Sequence, residues 1–358
     1  MDYNVIWYVI VGILLIGFAI LDGFDLGVGI LHLFTKTDHD RRIMLNSIGP
    51  VWDGNEVWLI TAGGALFAAF PEIYATAFSG FYLAFMLLLI ALIFRAVSIE
   101  FRSKEKNPRW RKTWDFCFFF GSVTASILFG VAIGNAVIGL HIESDMEYHG
   151  TFLNLLNPYA LLCGFFNMVM FALHGAVFLN IKTEGKLQRQ VKSWIKTIYP
   201  IFVILFIAVT GITLSIKPEM IANFSYGHFE YKEPSHQLIA DYQSVISSVA
   251  WLVVFLNVLS VLNIPRAIHK NKEMFAFISS SCTIAALISL FALGIFPNLL
   301  ISNVEPEYSL NIYNGSSSQK TLKTMFEIAI WGMPFVLAYT SIIYWTYRGK
   351  TVLNEHSY

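Results

Sequence analysis

The chain has 358 residues, 56% of them hydrophobic and 13% charged, with a mean hydropathy of +0.60 and no net charge. Repeated apolar runs of roughly 18 or more residues mark a polytopic helical membrane protein rather than a soluble domain. A balanced charge gives no footprint for nucleic acid, and Cys117, Cys163 and Cys282 fall in separate apolar runs, so neither disulfides nor a cysteine metal site is expected.

In chain order, nine spans are predicted, over about 5–33, 52–71, 74–99, 115–140, 159–181, 197–217, 243–264, 273–301 and 324–347. Each is long enough to cross a hydrocarbon core of roughly 30 Å at about 1.5 Å per residue. The fold class is therefore all-α, a single integral-membrane domain over 1–358. No basic leader and no A-x-A cleavage site precede the first span, so it is read as a retained membrane helix.

Basic residues set the expected orientation. Lys36, Arg41 and Arg42 follow the first span, and Arg102, Lys104, Lys106, Arg109, Arg111 and Lys112 follow the third. Lys182, Lys186, Arg189, Lys192 and Lys196 follow the fifth, Arg266, Lys270 and Lys272 the seventh, and Arg348 and Lys350 the ninth. Nineteen of the 24 Lys and Arg thus share one side, which predicts an N-terminus outside and a C-terminus in the cytoplasm. The other loops, 141–158, 218–242 and 302–322, are acidic or rich in Gly, Ser, Asn and Pro.

Four acids stand out against this apolar background: Asp22 and Asp25 in the first span, Asp53 and Glu56 in the second. A charged carboxylate at the bilayer centre costs roughly 2.5–3.5 kcal/mol on insertion scales, so each needs a partner, water or a proton. A spacing of three puts each pair on one helical face. Gly23-x-x-x-Gly27 lets another backbone approach that face. With the predicted orientation all four acids lie toward the cytoplasmic side, and Arg95, a turn before the end of the third span, reaches a similar depth. Arg95 is a fitting counter-charge. The constellation reads either as the mouth of a cytoplasmic proton path or as an ion-pair cluster that locks three helices. Trp52 and Trp58 flank the second acid pair and read as interfacial anchors.

Most histidines, among them His32, His39, His149 and His269, lie near loops or span ends. His174 lies well inside a span and is either a satisfied core residue or a haem ligand. There is no H-E-x-x-H, no C-x-x-C-H, no phosphate-binding glycine loop and no plausible hydrolase triad. By itself the chain is not equipped with a catalytic or metal centre.

The runs Gly17-Phe-Ala-Ile-Leu-Asp-Gly-Phe-Asp-Leu-Gly-Val-Gly29 and Trp52-Asp-Gly-Asn-Glu-Val-Trp58 closely resemble subunit II of the cytochrome bd-type quinol oxidases. So do Arg41-Arg42-Ile-Met-Leu-Asn-Ser47, Thr61-Ala-Gly-Gly-Ala-Leu-Phe-Ala68, Phe94-Arg95, Phe101-Arg-Ser-Lys104, Asn154-Leu-Leu-Asn-Pro158 and His356-Ser-Tyr358. The resemblance covers essentially the whole chain, most strongly residues 13–115. It implies an obligate heterodimer with subunit I in a bacterial inner membrane. Subunit I would carry the quinol site and the axial ligands of two b-type haems and one d-type haem. The complex would oxidise quinol and reduce dioxygen to water, building a proton-motive force without pumping. A structural quinone and a small accessory subunit are further components such complexes can hold. By the same resemblance Asp53 matches a proposed proton-path aspartate, Asp22 and Asp25 the aspartates of the first helix, and Arg95 their arginine. Trp52 and Trp58 match the bracketing tryptophans, while Glu56 stands where relatives can carry Gln. The competing reading from the residues alone is an ion-coupled secondary transporter, in which the same acids would bind protons and substrate.

Overall fold

The computed structural model describes residues 1–222, 224, 225 and 234–353. Part of the expected 218–242 loop, with Lys232 and His228, and the terminal His356-Ser-Tyr358 lie outside them. Thirteen helices follow in order among the described residues: α1 (Tyr3–His32), α2 (Asp38–Ile48), α3 (Trp52–Ala69), α4 (Pro71–Gly80), α5 (Tyr82–Phe101), α6 (Pro108–Ile138), α7 (Phe152–Leu155), α8 (Pro158–Lys182), α9 (Gly185–Ile216), α10 (Glu219–Ala222), α11 (Pro234–His269), α12 (Glu273–Ile295) and α13 (Gln319–Thr346). Two short strands, β1 (Asn298–Leu300) and β2 (Leu310–Asn311), pair antiparallel in the connection between α12 and α13.

The central helix is α1. Asp2 caps it, its carboxylate accepting from the Asn4 amide N–H at 3.0 Å. From Asp22 to His32 every residue is buried, because α1 is surrounded there by α3, α6, α8 and α12. Such enclosure needs small residues. A Cβ on Gly27 would lie 1.9 Å from the Phe171 carbonyl oxygen of α8, and Gly175 of α8 returns the contact onto Gly27. The backbones of α1 and α8 therefore touch directly.

Eight helices among the described residues are long and apolar enough to cross a membrane: α1, α5, α6, α8, α9, α11, α12 and α13. The expected second span is present as α3, but Asp53, Asn55 and Glu56 in its first turns leave it outside that group of eight. The span expected over 74–99 is divided. Phe81 ends α4 and opens α5, so the membrane-length helix begins at Tyr82. The span expected over 273–301 stops at Ile295, after which the chain turns into β1.

The two ends of the bundle differ. At one end the strands, the 139–157 connection and the start of α1 pack into a small cap. Asn4 donates to the Ile312 carbonyl at 2.5 Å, the Trp7 indole donates to the Leu322 carbonyl at 2.9 Å, and Asn303 N–H donates to the Leu140 carbonyl at 2.9 Å. At the other end lie α2 and the start of α6, and the loops expected to be basic meet there. Lys192 bonds Asn271 at 2.7 Å, and Lys350 bonds Glu273 at 2.8 Å. The outer faces of α5, α9, α11 and α13 are apolar and exposed, with Trp331 and Phe335 of α13 at 77% and 76%.

Candidate functional site: a buried arginine and its carboxylates

Arg95, on the face of α5 turned to α1 and α3, is fully buried. Its Nη1 donates to Asp22 Oδ2 at 3.0 Å and to Glu56 Oε1 at 2.7 Å, and its Nη2 donates to Asp22 Oδ1. Asp22 thus takes a two-pronged grip from one guanidinium, a geometry that lysine cannot supply. Asp25 is one turn on, its Oδ2 3.9 Å from Nη2. That oxygen accepts from the Asn55 amide at 2.7 Å, and Asn55 Oδ1 in turn accepts from the Tyr344 hydroxyl of α13 at 2.8 Å. Four helices therefore meet at one polar layer.

The structure brings Asp22, Asp25, Glu56 and Arg95 together and leaves Asp53 out of the layer. Asp53 is exposed on the first turn of α3, while the Glu56 side chain, one turn later, is 21% exposed. Trp58 packs over Gly17 of α1, where a Cβ would lie 2.3 Å from its ring. Trp52 rests partly buried against the core of the same end. Asn55 and Tyr344 had not been anticipated, since an isolated amide and a tyrosine near a span end carry no signal without the fold.

A second ionic layer was also missed. Asp115, at the start of the expected fourth span, is 1% exposed. It accepts from His32 Nε2 at 2.5 Å, Arg102 Nε at 2.5 Å and Arg41 Nη1 at 2.7 Å. Arg102 also reaches Asp38 of α2 at 2.8 Å, and Arg111 bonds the other Asp38 oxygen at 2.9 Å. The basic loops contain a fixed network, not only a topogenic charge. The available signal was an acid that follows a run of six cations into the predicted span.

His174 donates from Nε2 to the Ile20 carbonyl at 2.9 Å, and its Nδ1 is 2.8 Å from the Ser280 hydroxyl. Its ring stacks on Phe277 with centroids 5.1 Å apart. Both nitrogens are engaged, so this imidazole does not fit a haem iron. In His32, Nε2 is held by Asp115 and the Phe118 ring packs edge-on, with ring centroids 5.2 Å apart. Among the described residues no group of three or more His, Cys, Asp or Glu side chains is arranged to hold a metal ion.

Comparison with known proteins decides the family. The family model for cytochrome bd terminal oxidase subunit II matches residues 3–347. The chain belongs to this family. The bd-I ubiquinol oxidase subunit 2 of Escherichia coli K12 is 39% identical over 370 residues, covering 98% of this chain and 96% of the relative. The bd ubiquinol oxidase subunit 2 of Bacillus subtilis is 30% identical, covering 98% and 97%. The solved bd oxidase from Geobacillus thermodenitrificans has the same fold, with a TM-score of 0.73 at 15% identity over 96% of this chain and 98% of that one. As a bd oxidase subunit II, the chain is a membrane component of a respiratory oxidoreductase complex and implies a subunit I.

Proposed function

We propose that this chain is the second subunit of a bd-type quinol oxidase of a bacterial inner membrane, paired obligatorily with subunit I, and that it guides cytoplasmic protons toward dioxygen reduction. Quinol oxidation is proposed to occur on the partner, which also supplies the axial ligands of the b-type and d-type haems. Those haems, when bound there, carry electrons and hold dioxygen; the residues of this chain handle protons and support haem assembly. The chain is read as one integral-membrane domain whose ninth crossing is α3, with the N-terminus outside and the C-terminus in the cytoplasm.

The observation that carries the proton reading is a gradient of exposure along one set of ionisable groups. It runs from exposed Asp53 through partly exposed Glu56 to buried Arg95, Asp22 and Asp25. A helix that exposes an acid and begins beside a buried ion-pair layer offers a graded route from water to the interior. Arg95 keeps the inner carboxylates compatible with burial, and Asn55 fixes the orientation of Asp25.

The reduced-minus-oxidised absorbance spectrum of the purified complex, together with turnover of Asp53→Asn, tests the proposal. Bands of b and d haem that are lost on removal of the partner, with slower oxygen reduction in the variant at unchanged haem content, are expected. A preparation without haem or partner would sink the oxidase assignment. Normal turnover of Asp53→Asn would remove Asp53 from the path.

A further inference from the structure

The two ionic layers are in register. On α1, Asp25 and His32 are seven residues apart; Arg95 of α5 and Arg102, which caps that helix in helical conformation, are also seven apart. Seven residues are two helical turns, about 10.5 Å, so both members of each pair lie on one face. Between the layers α6 contributes Ser122, seven residues beyond Asp115. Its Oγ lies 1.9 Å from where a Cβ on Gly29 would be, and Gly29 is four residues after Asp25 and three before His32.

Three buried atoms along this seam find no hydrogen-bond partner among the described residues: Asp25 Oδ1, Ser122 Oγ and His32 Nδ1. Ser122 is telling because its neighbours behave otherwise. Ser126 donates to the carbonyl four residues back at 2.7 Å, and Ser98 does the same at 2.5 Å. Ser122 makes no such bond, which leaves its hydroxyl for the seam. An unsatisfied buried polar atom costs about 1–3 kcal/mol, and polar interiors meet that cost with ordered water. A dry seam would bear the cost three times within two turns.

We propose that the seam between α1, α5 and α6 binds a chain of ordered water from His32 to Asp25, and that this chain is a proton route into the buried layer independent of Asp53. The second half rests on the reading of Asp25 as a proton carrier. With Nε2–H donated to Asp115, the neutral His32 ring offers Nδ1 as acceptor for the first water. Ser122 bridges the middle, accepting from one water and donating to the next. A proton joins the chain at the His32 end as another leaves it for Asp25 Oδ1, so charge and atoms balance at every step. Arg41, whose side chain is 22% exposed, opens the outer layer to solvent. The groups facing His32 are Asp115, Arg41 and Arg102; those facing Asp25 are Asp22, Glu56, Asn55 and Arg95.

Phe118 provides the test. It is 1% exposed, yet its ring tip lies 3.3 Å from the same Gly29 position. A brief X-ray pulse on the intact complex in heavy-oxygen water generates hydroxyl radicals only where water is present, and these label adjacent rings. Label at Phe118, and none at Phe70, equally buried at the capped end of the bundle, is expected. Ser122→Val, which fills the seam, and Ser122→Ala, which only removes the hydroxyl, are each expected to slow quinol-driven oxygen reduction about tenfold, or roughly 1.4 kcal/mol of barrier, with haem bands intact. An unlabelled Phe118 overturns the hydrated seam. A labelled Phe118 with normal turnover in both variants overturns its proton role. Normal turnover of Asp25→Asn with Phe118 still labelled would instead refute the carrier reading of the acids and leave the water in place.

Discussion

Replacing Arg95 by leucine would test what holds α1, α3 and α5 together. The substitution leaves Asp22, which is fully buried, and Glu56 without their counter-charge. Three charge-assisted hydrogen bonds at about 1.5–3 kcal/mol each set the ceiling. Relaxation and water penetration lower it, and breaking one side of a buried pair typically costs about 3–5 kcal/mol. A loss in that range is expected for Arg95→Leu, measured as the shift in the unfolding midpoint of the detergent-solubilised complex. The double variant Arg95→Leu/Asp22→Leu is expected to recover at least about 1.5 kcal/mol, because it removes the acid held most directly by Arg95, while Glu56 can reach water and Asp25 keeps its hydrogen bond from Asn55. A loss below about 1 kcal/mol for Arg95→Leu, or a double variant no better than the single, would refute the picture of Arg95 as the tie between these helices.

Two further outcomes follow from geometry elsewhere. Gly27→Ala forces a methyl against the Phe171 carbonyl and the Gly175 backbone; it should cost about 1–3 kcal/mol as overpacking, read as a lower unfolding midpoint, whereas Gly12→Ala, with open space around it, should be neutral. In the 139–157 connection, Asp145 accepts from His149 at 2.8 Å, which raises the His149 pKa and, with the Glu147 backbone N–H, lowers that of Asp145. A raised histidine contributes its stabilisation fully below its unfolded value of about 6.5 and loses it as pH rises through the folded value. Hydrogen exchange in residues 143–149, compared with Asp145→Asn, should show protection that fades from about pH 6.5 upward only in the native chain.

Much of the Arg95 layer was legible because membrane burial makes every charge expensive. Four acids and one arginine at similar depth on three successive spans left few other ways to balance charge. Asp53 and Glu56 were not separable in this way: three residues apart, they read as one pair, yet the start angle of α3 turns one outward and the other toward Arg95. The division at Phe81 was hidden because α4 and α5 together make one unbroken apolar run, and apolar content does not register a change of direction. Asp115 was passed over because basic loops are read for their sign, and a sum of charges discards which cation meets which acid.

The pair of ionic layers has a mechanical consequence. Two helices joined at one point can swivel about it; joined at two points on the same face, they can neither swivel nor slide. α1 and α5 are joined directly at the inner layer and, about two turns away, through Asp115 of α6, which both His32 and Arg102 bond. A single residue inserted between Asp25 and His32 would turn one of them about 100° away from its partners. The three helices therefore form a stiff strut. α13 joins the same level through Tyr344, whose hydroxyl donates to Asn55 and whose ring packs edge-on against Phe24 of α1.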